Sequence, residues 1–270
     1  MTVPPLPATR ASMLHDSLVM TGRTLRVTLR YPAVLFIAIV FPVILLLLLT
    51  ASFATIVLPG QSYSAYVDFS LPLFAVMGVL FSTLGTAAAM LNDLQAGFDA
   101  RLRTMPISAS APLIGRIAAD AVRNLITLVL VVAVGTVVGF RFTTDPASIA
   151  GFFLLPLVFA VGIVWLVLAA AVRARSAESV TAGLNAAFLV ASFLSTGMVP
   201  LADLPSWAQP IAAANPLSLL VDAMRVLAHG GELARPLLGT VAWAVGLTVV
   251  FGPLAVLGYR HRRSAGQPAR

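Results

Sequence analysis

The chain has 270 residues, 59% of them hydrophobic and only 10% charged, so it cannot clothe itself in the polar surface of a soluble domain, where about a quarter of residues carry charge. Its 17 basic residues are all arginine against 10 acidic ones, and the excess of +7 is distributed as in the loops of a membrane protein rather than as a nucleic-acid patch. There is no cysteine and each of the three histidines lies outside the apolar runs, which excludes disulfides and thiol chemistry and leaves no expected haem or histidine metal site.

The polar N-terminal segment, 1–31, carries Arg10, Arg23, Arg26 and Arg30. Within it, residues 12–30 read as an amphipathic helix. Leu14, Leu18, Leu25 and Leu29 share one face, and Arg23, Arg26 and Arg30 fall on the other. Such a helix would lie on the inner membrane surface with its arginines toward lipid phosphates, and it would equally serve as a topology anchor. The apolar run that follows is longer than a signal-peptide core of about 7–15 residues, so it reads as a retained span.

A membrane-spanning helix needs about 20 mostly apolar residues. Six segments qualify, at roughly 33–57, 69–91, 121–140, 148–172, 179–199 and 237–259. The first is free of charge and holds Pro42, a kink site. The third carries Arg123 near its entry, a depth from which arginine can snorkel. The fifth is rich in small residues that allow close helix approach. The expected fold is an all-α integral membrane protein: a six-span permease domain over 32–259 and a tail at 260–270. With the N-terminus inside, 14 arginines fall on the inner side and 3 on the outer. Both termini and the loop 92–117 are therefore expected to be cytoplasmic.

That loop is a charged island. Leu91, Leu94, Phe98 and Leu102 follow at helical spacing, Gly97 leaves room, and Asp99, Arg101 and Arg103 project from other faces. Pro106 ends the element and Pro112 opens the next. An apolar patch rimmed by arginine suits docking into a groove of another protein, and the same residues also fit a solvated loop that enforces topology.

The stretch "GMVPLADLPSWAQPIAAANPLSLLVDAMR" at 197–225 falls outside in this topology. Asn215 can cap a helix opened by Pro216. Leu217, Leu220, Val221, Met224 and Leu227 then form an apolar face, with Ser218, Asp222, Arg225 and His229 in a polar stripe. Asp222 and Arg225 can pair at i,i+3. Trp207 suits an interfacial anchor.

Both stretches resemble type 2 ABC transporter permeases, the exporter family that includes daunorubicin-resistance-type permeases. In the island the resemblance rests on Asp93, Gly97, Arg101, Leu102, Arg103, Pro106, Ile107, Ser108, Gly115 and Arg116. A basic residue often follows the Pro-x-Ser turn in that family, and here Ala109 stands there. In the second stretch it rests on Pro200, Leu204, Pro205, Trp207, Asn215, Pro216, Leu217 and Arg225. The resemblance implies a coupling helix in the island that docks on a separate ATPase, with Asp93, Gly97, Phe98, Asp99, Arg101, Leu102, Arg103 and Pro106 as its residues. It also implies short re-entrant helices over 200–235 that cap the transport path. The partners it implies are two ATPase copies, which bind ATP and Mg, and a second permease subunit, identical or homologous, in a bacterial plasma membrane.

The residues agree on where the energy must come from. A P-loop requires lysine and this chain has none, so ATP would be bound by another chain. Asp68 and Asp120 sit near the ends of the expected spans, leaving no carboxylate deep in the membrane, which argues against an ion-coupled secondary transporter. No paired carboxylates, His cluster or nucleophile beside a base suggest an enzyme. A non-transporting membrane assembly factor is left as an alternative. The expected cargo is amphipathic or apolar, a drug-like molecule or a lipid.

Overall fold

The computed structural model describes residues 13–30, 33–57, 60, 62–95, 111–174 and 176–265, and side chains for most of these. Every regular element among the described residues is helical. The longer helices are α1 (Met13–Arg30), α2 (Ala33–Val57), α3 (Tyr63–Gln95), α4 (Ala111–Val138), α5 (Pro146–Ala171), α6 (Ala177–Phe193), α8 (Pro216–His229) and α9 (Ala234–Ala265). A 3-10 turn, Leu201–Asp203, and the short α7, Gln209–Ala214, lie between α6 and α8.

Among the described residues, five helices are long and apolar enough to cross a membrane, within Phe36–Val57, Tyr63–Leu94, Ile114–Val138, Pro146–Ala171 and Ala234–Tyr259. The expected fifth segment, 179–199, is the shorter α6. Its 17 residues extend about 26 Å at 1.5 Å per residue. It stops at Phe193 because polar groups capture its last carbonyls. The Ser195 hydroxyl donates to the Ser192 carbonyl at 2.6 Å. The Asn215 amide donates to the Ala191 and Leu194 carbonyls at 2.7 and 3.1 Å.

The central element is α3. Leu71, Leu73, Phe74, Ala75, Val76 and Met77 are all at most 1% exposed, so this helix is enclosed on every side rather than along one stripe. It packs against α2, α4, α5, α6 and α8, while α9 lies along α5 and α8. By contrast α2 and α9 show apolar side chains outward, among them Phe36, Leu48, Leu238 and Val249. A broad apolar exterior of this kind is what lipid contact requires. At the α5–α9 crossing, a Cβ on Gly162 would come within 2.8 Å of the Ala244 carbonyl oxygen. Only glycine lets these two backbones meet.

Helix α1 forms over the expected residues and packs on α4. Its Leu18 and Val19 are 70% and 52% exposed.

Candidate functional site

The island's anchor points are described, and its centre is not. Leu91 and Leu94 belong to the last turns of α3, which runs unbroken to Gln95, instead of opening a separate short helix. Gly97, Phe98, Asp99, Arg101, Leu102, Arg103 and Pro106 lie outside the described residues. Helix α4 begins at Ala111 with Pro112 in its first turn, as the proline predicts.

One carboxylate gathers this end of the molecule. Asp93, at the end of α3, receives the Arg116 guanidinium of α4 at 2.5 Å and the Arg23 guanidinium of α1 at 3.3 and 3.4 Å. The Arg116 side chain is 9% exposed, against 37% for Arg23. The Arg116 contact is therefore the stronger of the two, and the Arg23 contact is the more screened by solvent. The sequence assigned Arg23 to lipid phosphates with Arg26 and Arg30, and in the structure it turns to Asp93. Arg26 is exposed, and the Arg30 side chain lies outside the described residues.

Deeper along α3 and α4 lies a cluster that the sequence reading placed wrongly. Helix α4 starts ten residues before the expected 121, so Asp120 and Arg123 stand inside its apolar stretch Ile114–Val138. Asp120 is 1% and Arg123 5% exposed. Arg123 does not snorkel. Its Nε donates to the Ser82 Oγ at 2.9 Å, and its Nη2 donates to the Thr86 Oγ1 at 2.8 Å and to Asp120. The Thr86 hydroxyl donates to Asp120 in turn. One step further, the Asn124 amide donates to the Thr83 hydroxyl at 3.2 Å. A buried charge is tolerated only when paired and hydrogen-bonded, and Asp120 and Arg123 meet that condition, although the Asn124 Oδ1 beside them is buried without a partner. The signal was present in the sequence. Arg116, Asp120, Arg123, Asn124 and Thr127 fall at helical spacing on one face of α4, and Ser82, Thr86 and Asp93 fall on one face of α3.

At the opposite end, Asn215 caps α8 as expected, its side-chain oxygen accepting from the Leu217 N–H at 2.9 Å with Pro216 in the first turn. Arg225 of α8 is the hub. Its Nη1 meets Asp222 at 2.8 Å, its Nε donates to the Phe69 carbonyl at 2.8 Å, and its Nη2 donates to the Thr196 and Gly197 carbonyls at 2.7 and 3.0 Å. The guanidinium carbon sits 3.6 Å from the centre of the Phe69 ring, a cation–π contact. Burial pulls the Arg225 guanidinium down to about 10, against the opposing pull of Asp222, so it stays cationic at neutral pH. Thr196 adds a hydroxyl bond to Asp222 at 3.0 Å, and its N–H reaches the Ser218 Oγ at 3.0 Å.

A cavity of about 340 Å³ is lined by Phe69, Thr196, Pro200, Ser218, Asp222 and Arg225 among others. It brings Pro200 and Arg225 together. Leu204, Pro205 and Trp207 stand apart on the surface turn before α7, with Trp207 67% exposed. No group of three or more metal-ligating residues occurs among the described residues.

Residues 16–228 match the ABC-2 type transporter family. Over 227 residues the chain is 31% identical to the "Probable doxorubicin resistance ABC transporter permease protein DrrC" of Mycobacterium tuberculosis, covering 83% of this chain and 80% of that protein. It is 28% identical over 255 residues to the "Daunorubicin resistance ABC transporter permease protein DrrB1" of Streptomyces coeruleorubidus, covering 94% and 89%. It is also 29% identical over 187 residues to the "Doxorubicin resistance ABC transporter permease protein DrrB" of M. tuberculosis, covering 66% and 64%. An all-helical chain with several membrane-length apolar helices, matched along most of its length, belongs to the ABC-2 type transporter family of integral membrane proteins.

Proposed function

We propose that this chain is the membrane subunit of an ATP-driven exporter that moves an amphipathic, drug-like molecule or lipid out of the cytoplasm or the inner leaflet. The observation that carries the reading is the family match over 16–228, joined by drug-resistance permeases that align with most of the chain. The absence of lysine fits this role, since the P-loop must then belong to a separate ATPase subunit.

In this reading the Asp93 end is cytoplasmic, both termini face the cytoplasm of a bacterium, and the loop 92–117 contacts the ATPase. The arginine distribution supports that orientation. Helix α1 lies along the inner interface with Leu18 and Val19 toward lipid. Helix α6 completes a sixth crossing, with α7 and α8 folding back as re-entrant elements that gate the path around Arg225. Two such subunits, identical or homologous, assemble with two ATPases.

The buried Asp120 removes the argument that no carboxylate lies inside a span. It does not revive an ion-coupled reading, because the Arg123 guanidinium already neutralises its charge.

Mild-detergent copurification with crosslinking and mass spectrometry tests the proposal. It predicts a stoichiometric P-loop protein crosslinked through α1 and the 92–117 loop. An intact, abundant preparation without one would contradict it.

A further inference from the structure

Five charges alternate in sign from α1 into the membrane-length part of α4: Arg23, Asp93, Arg116, Asp120 and Arg123. Arg23, Asp93 and Arg116 form one ionic group, and Asp120 and Arg123 form another. Arg116 stands between them. Its Nη2 holds Asp93 at 2.5 Å, yet its Nη1 is buried with no hydrogen-bond partner. Asp120 lies four residues on, on the same face of α4, at the spacing where an arginine and a carboxylate can meet. A buried guanidinium nitrogen without an acceptor is unfavourable, so an arrangement that gives it one gains a hydrogen bond.

Among the described residues three arginines face two carboxylates here, so one of the carboxylates can serve two arginines. In the structure that carboxylate is Asp93, held by Arg23 and Arg116. If Arg116 turned one helical step deeper, Asp120 would serve both Arg116 and Arg123, and Asp93 would keep Arg23. No charge is left unpaired in either arrangement. That is the condition for two states of similar energy rather than one state and a broken one.

We propose that Arg116 is a positioning residue that exchanges between Asp93 and Asp120, converting a displacement of α1 and the end of α3 into a change of partners inside the membrane. In the exchanged state Arg123 shares Asp120 and leans more on Ser82 and Thr86, which changes how α3 is held against α4 about 10–16 Å along α3 from Asp93. The proposal deepens the exporter reading and rests on it for its role in coupling. The exchange itself does not depend on an ATPase.

The test is a three-way mutant cycle in the isolated permease, reading thermal unfolding by tryptophan fluorescence. The variants are Asp93→Asn, Asp120→Asn and Arg116→Gln. Among the described residues Asp93 and Asp120 share no hydrogen bond or ion pair, and changes at separate sites normally add. Exchange predicts that each single loss is cushioned by the other carboxylate. The double variant Asp93→Asn/Asp120→Asn then falls in Tm by more than the sum of the single falls, and the excess vanishes in the Arg116→Gln background. Additive falls, or an excess that persists without Arg116, would overturn it.

If Asp120→Asn does not fold, the charge swap Asp120→Arg with Arg123→Asp replaces it. The swap keeps an ion pair but turns a like charge toward Arg116. Exchange predicts that Asp93→Asn then costs more than in the parent chain, and an equal cost overturns it. In a second arm the assembled exporter is assayed for transport. A positive cycle with transport unaffected by Arg116→Gln would leave the exchange standing and refute its role in coupling. Failure of the cycle refutes the exchange while leaving the exporter reading intact.

Discussion

The two ends of the molecule are tied by opposite devices. At the base one carboxylate, Asp93, collects two arginines from distant helices. At the far end one arginine, Arg225, collects three backbone carbonyls and a carboxylate. Carbonyls of Phe69, Thr196 and Gly197 are fixed by the course of the chain, so the far end can open only by breaking bonds. Arginine and carboxylate side chains can trade partners, so the base can rearrange while staying paired. In the proposed exporter the contrast puts rigidity at the end proposed to close the path and adaptability at the end proposed to receive the ATPase's signal.

The largest break in that comparison is Arg225→Met. It removes the donor from three carbonyls and leaves Asp222 only the Thr196 hydroxyl, and it is expected to cost roughly 3–5 kcal/mol, seen as a collapse of Tm and of folded yield. Arg225→Lys should rescue little, because an ammonium cannot replace the planar fork that reaches all four acceptors. A Lys variant as stable as the parent would show that the far end depends on charge and not on geometry.

Next is Gly162→Val, where the obstructing atom is a backbone oxygen that cannot rotate away. Overpacking here should cost about 1–3 kcal/mol and loosen α9 from α5, measurable as faster proteolysis between α8 and α9. Asp93→Asn is expected to be milder in stability, about 1 kcal/mol, because Arg23 is partly solvated and Asp120 takes up Arg116. Its effect should fall on recovery of the ATPase in copurification.

The smallest effect is at Asp145, the exposed N-cap of α5. Its carboxylate accepts from the Ser148 hydroxyl at 2.7 Å and from the Ala147 and Ser148 N–H groups at 3.0 and 3.2 Å. The Ser148 hydroxyl bond, above all, holds this carboxyl below its ordinary value of 3.8. A lowered folded value means that the stabilisation is complete above that ordinary value and disappears as pH falls through the folded one. A Tm profile between pH 5 and 2.5 should show a slightly steeper decline for the parent than for Asp145→Ala, and identical slopes would remove the cap from the account.

Much of this was legible in residue patterns. The charge-free run 33–57 became α2 at those bounds, and Asn215 with Pro216 opened α8. The pairing of Asp222 with Arg225 followed from spacing. The start of α4 was not legible to a hydropathy argument, because Arg116, Asp120 and Arg123 looked like the flank of a span. They are inside it because α3 offers Ser82, Thr86 and Asp93 on a matching face, and that is a property of two helices together. For the same reason α6 was overestimated. The groups that end it, Ser195 and especially Asn215, act from beyond the helix. The part of the candidate site to which the motif resemblance pointed, Gly97 to Pro106, lies outside the described residues, and its anchors Asp93 and Arg116 carry the structural argument.

The central claim is that ATP bound by another chain drives cargo through this one by way of the Asp93 end. Inside-out membrane vesicles containing this chain and its copurifying ATPase test it most directly, with doxorubicin as probe and uptake followed by fluorescence quenching. The account predicts ATP-dependent accumulation by the parent chain and little by Asp93→Asn inserted at equal amounts. Equal accumulation by both, or accumulation that follows an ion gradient and ignores ATP, would contradict it.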